Sequence, residues 1–363
     1  MSRSLASAPT HPGQLLFVGF PGYDVPEDLA ALVRAGRVGG VILFKRNVRD
    51  PEQVRRVVGE LHALAPDDAP LVVALDQEGG RVQRLRAPWT EWPPMRALGQ
   101  RSPQETARFA RALAVELRDC GFDLDFAPVV DVDSNPDNPV IGDRSFGGTP
   151  ELVSAHAAAF IEALQDEGVA ACAKHFPGHG DTDLDSHLAL PKLDLDLARL
   201  REIELPPFRA AVEAGVASVM TAHVLFPRLD DKRPATLSPD VMQILRGELG
   251  YDGLVFSDDI EMRAMADHWS SHACSIGVLE AGVDSILVCS KADLRDEVLG
   301  HLEAAPDALL EAPLRRMQAF KECFAGGRAA TRSAPPYAQH LALAETLVAG
   351  RRADVTSDPT ERA

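Results

Sequence analysis

The heptapeptide Lys174-His175-Phe176-Pro177-Gly178-His179-Gly180, followed by Asp185-Ser186-His187, crowds imidazoles, an ammonium group and carboxylates into one short stretch. An imidazole titrates near neutrality, so beside a carboxylate it can give and take a proton at working pH. Pro177 lacks a backbone donor, and Gly178 and Gly180 release the chain, which disfavours helix here. The stretch directly follows the apolar run Val169-Ala170-Ala171-Cys172-Ala173, and this order predicts a strand that ends in a working loop.

Polar groups gather at the ends of other apolar runs as well. Leu71-Val72-Val73-Ala74-Leu75 leads into Asp76-Gln77-Glu78-Gly79-Gly80-Arg81-Val82-Gln83-Arg84, and Val140-Ile141 into Gly142-Asp143-Arg144. Ser218-Val219-Met220 leads into Thr221-Ala222-His223, and Leu254-Val255-Phe256 into Ser257-Asp258-Asp259. Strands are expected over 15–20, 40–44, 71–76, 124–130, 171–175, 218–223, 253–257 and 285–289. Amphipathic helices are expected over 51–64, 103–120, 150–167, 207–214 and 239–249, each with Pro near its first turn, where the missing N–H costs nothing.

Strand–helix alternation implies parallel pairing, and eight such strands predict an α/β fold, a single (β/α)8 barrel. The catalytic groups of such a barrel converge at the strands' C-terminal ends. A doubly wound sheet is the alternative, but no GxGxxG follows any strand. Past the breaker Ala304-Ala305-Pro306, helices are expected near 309–324 and 337–348. The barrel with these helices is assigned to residues 1–353, and residues 354–363 read as a disordered tail.

The chain has 363 residues, 45% of them hydrophobic, enough for a large core. A formal net charge of -17 excludes a phosphate-backbone partner, because no cationic surplus exists to displace counterions. Five scattered cysteines without a CxxC pair suit a reducing compartment. The first ten residues lack the apolar segment of a signal peptide and no run approaches a membrane span, so a soluble, cytoplasmic protein is expected.

The 174–187 run resembles the pattern K-H-F/I-P-G-H/L-G, four variable residues, D-S/T-H, of bacterial β-N-acetylglucosaminidases in glycoside hydrolase family 3, the muropeptide-processing group. Asp76 to Arg84 and Phe256-Ser257-Asp258-Asp259 are similar to two further signatures of that family, in the same order, and Arg263-Ala264-Met265 departs from its pattern. The resemblance covers roughly residues 15–348. It implies Asp258 as nucleophile, His187 as acid/base and Asp185 as the group holding the imidazole. It further implies that Lys174, His175, Asp76, Arg84 and Arg144 bind the hydroxyls of N-acetylglucosamine. Local sequence alone leaves Asp258 and Asp259 equivalent, and Arg144 could instead pair with Asp143 or Asp133. His223 is expected on the pocket wall.

The implied activity is a retaining exo-β-N-acetylglucosaminidase acting on amino-sugar-containing cell-wall fragments, without a cofactor. Alternatives are a phosphorylase, a β-glucosidase of the wider family, and a non-catalytic sugar-binding barrel. Metal binding is rejected for two patterns. Asp181-Thr182-Asp183-Leu184-Asp185 has Ser186 where a calcium loop needs Gly and Lys192 where it needs Glu. His175 and His179 have a zinc-helix spacing that Pro177 interrupts. Trp89 and Trp92 could stack a sugar but are expected to cover the barrel side.

Overall fold

The computed structural model describes residues 11–326, 333–348 and 358–361. Eight parallel strands close into a barrel: β1 (Leu16–Val18), β2 (Gly40–Leu43), β3 (Val72–Leu75), then, after a small hairpin of β4 (Gln77–Gly79) and β5 (Val82–Gln83), β6 (Leu124–Asp125), β7 (Ala170–Phe176), β8 (Ser218–Thr221), β9 (Leu254–Asp259) and β10 (Ser285–Val288). Neighbours follow chain order, and pairing of Leu16 with Ile286 joins β1 to β10 and closes the ring. The expected (β/α)8 barrel is therefore the observed fold.

The strands are largely apolar up to their C-terminal ends because side chains pack inside the barrel while helices cover its outside. Phe256 touches Phe17 and Phe126 edge to face, with centroids 4.9 and 5.3 Å away, filling the lumen. Local chemistry sets the helix starts. Ser102 and Glu105 form a capping box before the helix Pro103–Cys120, and Asp50 caps Pro51–Leu64 by accepting from the Gln53 amide at 2.8 Å.

Several boundaries differ from expectation. The strand expected over 124–130 stops at Asp125, because Pro128 has no N–H for a ladder, although Val129 still bridges Lys174. The helix expected at 207 begins at Leu205 after a π turn, Leu200–Glu204, and 239–249 splits into a helix, Pro239–Gln243, and a π turn, Ile244–Glu248. The helices Glu27–Arg34, Ser271–Ala281 and Ala292–Glu303 were not expected.

The helix Asp307–Phe324 plugs the barrel's base. Its Lys321 donates to the Pro70 carbonyl at 2.7 Å and to the Gln14 side chain, groups that precede β3 and β1. The polar residues at the ends of β3, β7 and β9 open on the opposite face. Ala338–Val348 packs beside Pro103–Cys120, where His340 lies 2.8 Å from Glu116. Of the tail expected to be disordered, residues 354–357, 362 and 363 lie outside the described residues. The stretch 358–361 departs from that expectation, for Pro359–Glu361 forms a short 3-10 turn. Residues 1–10, on which the expected lack of a leader rests, also lie outside. Among the described residues, no helix is long and apolar enough to cross a membrane.

Candidate active site

A cavity of about 440 Å3 opens among the C-terminal ends of the strands, a size usual for small-molecule sites. Asp76, Arg144, Lys174, His175, His187 and Asp258 all line it. The other two expected residues stand one contact behind, Arg84 holding Asp76 and Asp185 holding His187.

On the β3 side the site is a lattice of buried charges. Lys174 donates to Asp76 at 2.9 Å and lies 2.7 Å from Glu78, while Arg84 donates to the second oxygen of Asp76 at 2.9 Å. Arg144 grips Glu78 with two bonds of 2.8 Å. Neither alternative partner proposed for Arg144 is the observed one, since Asp143 pairs with Arg81 and Asp133 with Arg96. Sequence reasoning passed over Glu78. The available signal was its place in the acidic run Asp76-Gln77-Glu78 just past an expected strand.

These contacts fix the charges. Burial alone would push Asp76 up, but Lys174 and Arg84 together hold its carboxyl well below the usual range. Glu78, likewise buried, is held to about 2 by Arg144 and Lys174. Burial opposes the charge on Lys174, yet the two carboxylates raise it well above an ordinary lysine. Lys174 is thus a fixed hydrogen-bond donor and no base.

His175 stands on β7 with Nδ1 2.7 Å from Asp131, which also accepts the His179 amide at 2.8 Å. Asp131 was not singled out from the sequence, although a carboxylate just past an expected strand was the available sign. His179 braces the next loop: its Nδ1 is 2.8 Å from Thr182 and its Nε2 3.0 Å from Ser186. Burial, with His175 adding, pushes His179 down to about 4, so it is neutral. Gly180 passes so close to the Val132 carbonyl that a Cβ would lie 1.8 Å from its oxygen, which explains why glycine ends the motif.

This loop delivers His187. Asp185 accepts the His187 amide at 2.9 Å and lies 2.8 Å from Nδ1, which assigns the ring proton to Nδ1 and leaves Nε2 for exchange. The Ala264 amide donates to the Ser186 carbonyl at 3.2 Å, a backbone tie from the segment after β9 to the His187 loop.

Asp258 is the penultimate residue of β9 and accepts the Asp259 amide at 2.8 Å. Burial would raise it, but His223, His175 and His187 outweigh that and lower it below an ordinary aspartate. Asp259 moves the other way, raised by burial and by Glu261. Opposed shifts separate two carboxyls that local sequence left equivalent. His223 was expected on the pocket wall. It is instead buried beneath, with Nδ1 2.8 Å from Thr236 and Nε2 3.1 Å from the Asp259 carbonyl, because both ring nitrogens find partners within the barrel. Trp89 and Trp92 are buried away from the cavity, Trp92 against Phe109, as expected of side-covering residues.

One cavity thus presents an anionic carboxylate, an oriented imidazole and a charged cluster suited to hydroxyl groups. A carboxylate can attack an anomeric carbon, and an imidazole can protonate the leaving oxygen.

Comparisons with known proteins agree with that chemistry. The profile "Glycosyl hydrolase family 3 N terminal domain" matches residues 10–319. The chain is 42% identical to a beta-hexosaminidase of Thiobacillus denitrificans, over 95% of this chain and 97% of that protein. Among solved structures, a glycoside hydrolase family 3 beta-N-acetylglucosaminidase from Paenibacillus sp. superposes with a TM-score of 0.89 at 39% identity, covering 94% of this chain and 68% of that one. NagZ from Neisseria gonorrhoeae, solved with N-trifluoroacetyl-D-glucosamine, gives 0.82 at 34% identity, covering 94% and 100%. The chain belongs to glycoside hydrolase family 3 and is a glycoside hydrolase of the β-hexosaminidase kind.

Proposed function

We propose that this protein is a retaining exo-β-N-acetylglucosaminidase that works through a covalent glycosyl-enzyme. Asp258 attacks C1 while His187, oriented by Asp185, protonates the leaving oxygen. His187 then takes a proton from water, which discharges the ester with net retention. Asp76, Lys174, Arg144 and His175 hold the amino sugar's hydroxyls, and Arg84 fixes Asp76 from behind. The observation that carries this reading is the placement of anionic Asp258 and oriented His187 on the same cavity.

Barrel geometry adds a direction. β9 and β3 are four strands apart in a ring of eight, so Asp258 and Asp76 face each other across the barrel. In a pyranose C1 and C4 are also opposite, and a sugar with C1 at Asp258 points its C4 hydroxyl toward the Asp76 cluster. Cell-wall fragments carrying a terminal N-acetylglucosamine are the proposed natural substrate, and the cytoplasm the proposed compartment, a reading supported by five free thiols, four of them buried.

Turnover of aryl β-N-acetylglucosaminide with and without phosphate tests the proposal. Free N-acetylglucosamine should appear in both cases, and the aryl glucoside should be a poor substrate. Sugar 1-phosphate as the main product, or a preference for the glucoside, would overturn it.

A further inference from the structure

The turn at 358–361 touches the one cation of the sugar cluster that does not itself line the cavity. Arg84 has a side chain with 0% exposure, and its guanidinium reaches three acceptors. Nη1 donates to Asp358 at 2.6 Å, and Nη2 donates to Asp76 at 2.9 Å and to the Thr360 hydroxyl at 2.7 Å. Thr360 is locked in turn. Its amide and hydroxyl donate to Asp358 at 2.9 and 2.7 Å, and Pro359 between them is buried. Arg84 also lies over Phe44, 5.5 Å from the ring centroid, and Phe44 and Thr360 both line the cavity.

The turn therefore reaches the cavity on the β3 side, opposite Asp258. Resting on the reading above, we propose that Asp358 and Thr360 form the end wall of the sugar pocket, beyond the C4 hydroxyl, and thereby restrict the enzyme to a single terminal sugar. Thr360 is the wall itself. Asp358 is a positioning residue that shares the Arg84 fork with Asp76 and so fixes the carboxylate that the sugar meets. A chain extended at O4 would run into Thr360, which confines cleavage to one unit at a time.

The test uses full-length Asp358→Ala, Asp358→Asn and Thr360→Ala, and the double alanine variant. Its substrates are the aryl glycosides of N-acetylglucosamine and of its β-1,4-linked disaccharide. The charge-removing variants should raise KM for the monosaccharide about tenfold, the scale of a lost charged hydrogen bond, with kcat within about threefold. The double variant should release intact disaccharide from the longer substrate, whereas wild type should release the terminal sugar first.

Unchanged KM and products would show that the turn only packs, and a lower KM would make it a plug that competes with sugar. Either result overturns the proposal. Failure of wild type to cleave the aryl N-acetylglucosaminide would overturn the functional reading itself and the proposal with it, which separates the two failures.

Discussion

The two ends of the cavity are built differently. On the β3 side Asp76, Glu78, Arg84, Arg144 and Lys174 pair with one another within 3 Å, at strand ends or in the hairpin and loops packed on them. On the other side His187 rides a loop between Leu184 and Leu188, which are 46% and 50% exposed, and that loop reaches the barrel through Asn138, Asp131 and the Ser186 carbonyl. A rigid charged lattice suits recognition, because hydroxyls replace water without reorganising the donors. A loop-borne proton donor suits leaving groups of different shape.

The contrast can be broken from either end. The largest effect is expected for Asp258→Asn, which should cut kcat about 10^4-fold or more, as loss of a covalent nucleophile does, with the melting temperature held. His187→Ala should lose about 10^2 to 10^4-fold on poor leaving groups and far less on activated aryl glycosides, which need no proton, so the ratio of the two rates is the readout. Lys174→Met removes one cation from two buried carboxylates that keep Arg84 and Arg144, and should cost about 1–3 kcal/mol in urea unfolding, in addition to raising KM.

Acid should weaken the fold through His179. Its folded value of about 4 lies below the ordinary 6.5, so the unfolded chain binds the extra proton between those values and stability falls as pH drops through that window. Asp125, raised to about 8 by burial, slopes the opposite way between 3.8 and 8. The comparison of wild type with His179→Gln isolates the histidine, and the variant should show a flatter fall, the difference being on the order of 3 kcal/mol by pH 4. The smallest effect is expected for Leu184→Ser, within about 0.5 kcal/mol of wild-type stability, since the side chain is half exposed.

Much of this was legible in the residues. All eight barrel strands coincide with apolar runs, since a parallel barrel strand is buried on both faces and shows as an uninterrupted run. Pro51 and Pro103 marked helix starts because the first turn tolerates a missing N–H, which is local chemistry. The partner of Arg144 was invisible for the opposite reason. Arg144 and Glu78 lie 66 residues apart, and only the barrel's closure brings them together. Asp358 and Arg84, 274 residues apart, are a longer case of the same kind. Three members of the histidine-rich motif also divide in a way spacing could not reveal. All three line the cavity, but His175 is held by Asp131, His179 braces the loop through Thr182 and Ser186, and His187 is held by Asp185.

The central claim is that Asp258 becomes bonded to the sugar. Incubation with a slowly discharged N-acetylglucosaminyl fluoride, followed by proteolysis and peptide mass spectrometry, reads that bond directly. The adduct should map to Asp258, be absent from Asp258→Asn, and accompany release of product with retained anomeric configuration. An adduct on Asp259 or any other residue, or product of inverted configuration, would contradict the account.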